Sequence, residues 1–131
     1  MSVQESVQVI QTYFQNHDSQ YLAENVELYD MTAAQPLRGR QAVGGFLHMF
    51  YHETFSDASA EVRNVVAADN GVVIEFVFHG KNTGSLGGAP PTGKVVAVPM
   101  CASYSVAQSQ IQLVRLYYDT ATMGRQLGLI A

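Results

Sequence analysis

The sequence is short of the residues that build covalent or metal-bound scaffolds, with a single cysteine, Cys101, among 131 residues. No internal disulfide can form, the paired-cysteine spacings of zinc sites are missing, and a reducing compartment is the natural setting. Basic charge is also scarce. Seven Lys and Arg against eleven Asp and Glu leave a net charge of -4. No basic stripe exists to displace counterions from nucleic acid, which excludes that class of partner. No apolar run approaches the roughly 20 residues that span a bilayer, so no membrane role is expected. The segment Met1 to Ile10 is broken by Gln4, Glu5 and Gln8, without the basic start and apolar run of a signal peptide. The expected location is the cytoplasm.

What the chain does have is apolar surface. Hydrophobic residues make up 47% and charged residues 14%, which is apolar for a single soluble domain of this length. We expect one domain over residues 1–131, with the surplus covered by a second copy, as a homodimer or a higher assembly.

Ser2 and Glu5 form a capping box that starts a helix, and Val3, Val7, Ile10, Tyr13 and Phe14 recur at helical spacing to about Asn16. Asp18 can cap a second, short helix turning Tyr21 and Leu22 inward. Val26 to Met31 alternates like a strand, and Pro36 with Gly39 marks the loop after it. A third helix is expected from Arg40 to Glu53, with Val43, Phe46, Leu47 and Phe50 facing the core. Beyond it the period changes to that of strands. Ala58 to Ala68 and Val72 to His79 flank a turn at Asp69-Asn70-Gly71, and Val95 to Val106 and Ile111 to Tyr118 flank Gln108-Ser109-Gln110. A last helix, Thr120 to Gln126, stops at Gly128. Helices followed by hairpins give an α+β fold, in which a curved antiparallel sheet is covered on one face by the N-terminal helices and encloses an apolar pocket.

Three signals bear on chemistry. Gly88 to Lys94 nearly matches a phosphate-binding loop, but Val95 stands where the metal-binding hydroxyl belongs and two prolines remove amide donors, so no phosphate site is expected. His48 and His52 have the spacing of a shared metal ion but lie opposite the apolar stripe, so no metal is expected there. Asp119 closes the last strand in phase with Leu113, Arg115 and Tyr117. If their face is the covered one, Asp119 enters the pocket as a general base; otherwise it caps the helix that begins at Thr120. His79, at the end of its own strand, is a second candidate for proton transfer. Tyr13, Tyr29 and Tyr104 are candidate hydroxyl donors to a ligand.

The order of elements resembles the SnoaL-like polyketide cyclase family of the nuclear transport factor 2-like superfamily. The resemblance rests on Tyr29-Asp30, Gly39-Arg40, Phe55-Ser56-Asp57, Gly80 to Gly84, Pro90-Pro91-Thr92-Gly93-Lys94, and Asp119 with Gln126-Leu127-Gly128. It implies a cone of sheet and helices around an apolar pocket, no cofactor or metal, and dimers packed through the sheet. It also implies an aspartate at the place of Asp119 acting as acid and base in an aldol ring closure. Where family members read Gly-Thr-His-Thr-Gly this chain reads Gly80-Lys81-Asn82-Thr83-Gly84, so Asn82 replaces a histidine. The family's other histidine falls near Ser103 to Ser105. The expected function is acid-base chemistry on a small apolar carbonyl compound. Asp119 and His79 would be catalytic, and Tyr13, Tyr29, Asn82, Tyr104, Arg115 and Tyr117 would face the ligand. The alternative is a noncatalytic binding or dimerisation module of the same fold.

Overall fold

The computed structural model describes residues 1–131. Helix α1 spans Val3–Asn16 and opens on the anticipated capping box, with Glu5 N donating to Ser2 Oγ at 3.0 Å and Ser2 N to Glu5 Oε1 at 3.2 Å. Its buried face is rotated from the expected one. Ser6, Val9, Ile10 and Tyr13 are buried, whereas Val3 is 46% exposed. The reason is a polar residue: Ser6 Oγ donates to the carbonyl of Asp69 at 2.7 Å, anchoring α1 over a strand turn and turning the helix toward it.

Asp18 caps a single 3-10 turn, Ser19–Tyr21, which delivers the chain to strand β1, Leu22–Asp30. A two-residue strand β2, Leu37–Arg38, follows where the sequence suggested only loop. Helix α2 covers Arg40–His48 and then widens into a π-helical turn, Met49–Thr54, so the expected helix is present but changes pitch in its last third. Two hairpins follow: β3, Phe55–Ala68, with β4, Gly71–Asn82, and β5, Val95–Ala107, with β6, Gln110–Tyr118. Helix α3, Thr120–Leu127, stops at Gly128, whose φ of 74° is the left-handed conformation that favours glycine.

The six strands form one sheet in the order β2-β1-β6-β5-β4-β3. All neighbours are antiparallel except β1 and β6, which run parallel, a pairing that hairpin logic alone does not provide. Register shifts in β3 near Asp57, between Val62 and Asn64, and across β5 and β6 at Gln112 bend the sheet into an open cone. The core fills the concave side. Val72, Ile74, Phe76 and Phe78 of β4 face Val96, Val98, Met100, Ala102, Tyr104 and Val106 of β5 on the same inner surface, and all are buried.

Two polar knots hold the ends of the cone. Asn82 is buried: its amide donates to the carbonyls of Thr54 and Gly84, and its Oδ1 accepts from the amide and hydroxyl of Thr92. These bonds clamp the Gly- and Pro-rich loop between β4 and β5. Gln126 bonds both backbone groups of Ala97, at 2.6 and 2.9 Å, and so docks α3 on the edge of β5. No helix is long and apolar enough to cross a membrane.

Candidate functional site

Inside the cone, side chains from α1, α2, the π-helical turn and four strands leave a cavity of about 40 Å³. That is room for little more than one water molecule. The expected apolar interior is therefore filled mostly by its own residues. Strand alternation supplies the wall: Leu28 and Asp30 from β1, Phe76 from β4, Met100, Ala102 and Tyr104 from β5, and Val114, Leu116 and Tyr118 from β6. From the helical layer come Tyr13, His17, Phe46, Leu47, Phe50 and Tyr51.

The polar atoms of this wall are few and distinct. The hydroxyl of Tyr13 is buried and has no hydrogen-bond partner. An unsatisfied buried hydroxyl costs free energy in the unliganded protein and is repaired by any acceptor that enters. Burial, and next the proximity of Tyr51, push the Tyr13 phenol far up. Tyr104 is raised in the same way by burial, then by Tyr13 and Tyr51. Both phenols therefore stay protonated and can only donate or accept as neutral groups.

His17 follows the last turn of α1 with φ 54°, and its backbone N-H closes that turn on Tyr13 O at 2.7 Å. Its ring lies over Tyr51 with centroids 4.0 Å apart. Burial, helped by His52, pushes its pKa down to about 4, so the imidazole is neutral at physiological pH. Asp30 is the one carboxylate on the wall. Its Oδ1 accepts from the amide and hydroxyl of Thr32, at 2.9 and 2.6 Å, while Oδ2 accepts no hydrogen bond. The arrangement fixes the carboxylate and leaves one oxygen free to take a proton.

The expected site residues divide sharply. Tyr13 and Tyr104 reach the cavity; the other six do not. Asp119 is exposed and is the N-cap of α3, with Oδ1 accepting from Ala121 N at 3.0 Å and Oδ2 from the Thr122 hydroxyl at 2.9 Å. The Thr122 hydroxyl and then the Ala121 amide hold its carboxyl below the usual range, the opposite of what a general base in the pocket requires. Its companions Arg115 and Tyr117 are likewise on the outer face, because Val114, Leu116 and Tyr118 take the inner one.

His79 also lies outside, with Nε2 2.9 Å from Glu61 Oε1. Tyr29 alternates with Leu28 and Asp30, and its hydroxyl donates to Glu27 Oε2 at 3.3 Å rather than to the interior. Asn82 is spent on the loop clamp described above. His48 and His52 are exposed, with ring centroids 4.8 Å apart, and no third metal-type ligand joins them.

The residues missed were His17, Asp30, Tyr51 and Tyr118. Asp30 was findable, since it shares strand parity with Val26 and Leu28, and Tyr51 lies four residues after Leu47 on the same helical face. His17 carried no signal, because it reaches the cavity through a left-handed backbone beyond the end of a helix.

Comparison with known proteins fits this geometry. The chain belongs to the SnoaL-like polyketide cyclase family, whose model matches residues 7–127. Among solved structures, a candidate SnoaL-like polyketide cyclase from Jannaschia sp. CCS1 superposes with a TM-score of 0.87 at 18% identity, over 98% of this chain and 94% of that one. A protein of ketosteroid isomerase-like fold from Catenulispora acidiphila, in complex with trimethylamine, gives 0.76 at 18% identity over 93% of each chain. An NTF2-like protein from Burkholderia xenovorans LB400 gives 0.72 at 20%, over 97% and 98%. At these identities the likeness establishes the α+β cone. No curated protein matches the sequence.

Proposed function

We propose that the cone binds a small, largely apolar carbonyl compound and transfers a proton next to its carbonyl, with Asp30 as the base. The observation that carries this reading is the partnerless Tyr13 hydroxyl, a buried donor at a wall that is otherwise almost wholly apolar. A carbonyl oxygen seated there would satisfy it, and the bond would strengthen as charge develops on that oxygen. Asp30, with its free Oδ2, would remove the adjacent proton. This keeps the class of chemistry implied by family membership and by the cyclase and isomerase-type names of structural neighbours, while moving the base from Asp119 to Asp30.

Incorporation of solvent deuterium into the methyl group of acetophenone, followed by NMR in D2O, tests the reading. Exchange that scales with protein, disappears in Asp30→Asn and survives in Asp119→Ala supports it. Exchange unaffected by Asp30→Asn removes Asp30 as the base.

A second reading, binding without conversion, is favoured by one observation: Asp119, the residue that the family resemblance makes the acid and base, is exposed and caps α3. It predicts that acetophenone binds with no exchange above buffer. Self-association belongs to either reading. Val62, Val65, Val66 and Val95 are between 39% and 72% exposed, and we propose that a second copy covers part of this apolar surface, which sedimentation at increasing concentration would detect.

A further inference from the structure

As its side chains stand, the inner cavity of about 40 Å³ takes only the carbonyl end of a ligand, and space five times as large lies next door. A cleft of about 210 Å³ runs between the end of α1 and the first half of β3. It exists because β3 carries small residues in its first half: Ala58, Ser59 and Ala60 form its floor, opposite Gln15 and Asn16. His17 and Tyr51 line both spaces. The partition between cavity and cleft therefore includes two aromatic rings, with centroids 4.0 Å apart and planes tilted by 30°.

Nothing but packing holds that partition in place. The His17 ring touches Tyr13 and Phe14 edge-on, and neither the imidazole nor the Tyr51 hydroxyl makes a hydrogen bond. Tyr51 sits in the π-helical turn, an irregular pitch that recurs where helices serve a function. Tyr51 also packs on Phe50 and Phe78, so the partition is made of ring contacts alone.

We propose that the cavity and the cleft are two compartments of one binding site, and that its ligand is elongated. The carbonyl-bearing head lies inside at Tyr13, and an unbranched tail passes between His17 and Tyr51 into the cleft. The cleft also fixes the chemistry of the tail's end. Its polar lining, Gln15, Asn16, His52 and Ser59, supplies hydrogen-bond donors and contains no acidic residue, which suits a terminal carboxylate or amide. The inference rests on the carbonyl-binding reading of the inner cavity and adds the shape and polarity of the molecule.

Calorimetric titration with acetophenone and with 6-oxo-6-phenylhexanoic acid, which share a head and differ in tail, separates the two claims. The tailed compound is expected to bind at least tenfold more tightly. Ala60→Trp, which fills the cleft from its floor, and Gln15→Trp, which fills it from the exposed side of α1, should each bring the affinity ratio toward one. Equal affinities in the unmodified protein, or a ratio indifferent to both substitutions, overturn the two-compartment site even where acetophenone binds. If neither compound binds, the carbonyl reading and this inference fail together.

Discussion

The two faces of the sheet are written by alternate residues of the same strands, yet they have different chemistry. Along β4 the inner set, Val72, Ile74, Phe76 and Phe78, is at most 4% exposed, while the outer set, Val73, Glu75, Val77 and His79, is exposed or half-buried. Outside, charges meet neighbours across strands: Asn64 donates to Glu75 at 2.8 Å, and His79 faces Glu61 at 2.9 Å. Inside, polar atoms are scarce and each is consequential, because burial raises the cost of leaving any of them unpaired. Burial pushes the Tyr104 phenol of the inner face up, and the Tyr13 hydroxyl that α1 sets over that face is left without a partner. That contrast locates the functional surface.

Substitutions on the two faces test the contrast. The largest effect is expected at Phe78, which is fully buried with ring centroids 4.9 to 5.4 Å from Phe50, Tyr51 and Phe55. Phe78→Ala should lower stability by about 3–5 kcal/mol in urea unfolding, through lost burial and the space left behind.

Next comes acid. The pKa of His17 in the folded protein, about 4, lies below its ordinary value of 6.5, so the unfolded chain takes up the proton first as pH falls. Stability should be lost progressively from about pH 6.5 to pH 4, by about 1–3 kcal/mol after allowing for partial exposure of the ring. His17→Gln should flatten that part of the profile.

The smallest effects belong to the outer face. Arg115→Ala and Tyr117→Ser should each change stability by no more than about 0.5 kcal/mol and leave deuterium exchange intact. A large loss of exchange in either variant would reverse the assignment of faces.

Most of the fold was legible because its signals are local. The Ser2–Glu5 box, the Asp69 turn and the Gly128 stop each act within a few residues, and alternation located the strands although β1 starts at Leu22 rather than Val26 and β3 at Phe55 rather than Ala58. The parallel pairing of β1 with β6 is a long-range contact that no local pattern encodes. The site was less legible for a related reason. The in-phase set Leu113, Arg115, Tyr117 and Asp119 was correctly grouped, but alternation gives two sets without saying which is covered. Arg115 was the available clue, since an unpaired guanidinium is costly to bury, whereas Val114, Leu116 and Tyr118 carry no such penalty. The bulge at Gln112 adds a second complication, placing Ile111 inside despite its opposite phase to Val114.

The central claim is that the interior of the cone keeps an orphaned donor for a ligand acceptor, and Tyr13→Phe tests it most directly through two readings on one variant. Removing a hydroxyl with no partner should leave the unliganded protein as stable as before or more so, while weakening acetophenone binding by about tenfold, the worth of one buried hydrogen bond. A variant that is destabilised without ligand and binds acetophenone undiminished would show that the hydroxyl serves the fold and not a ligand, contradicting the account.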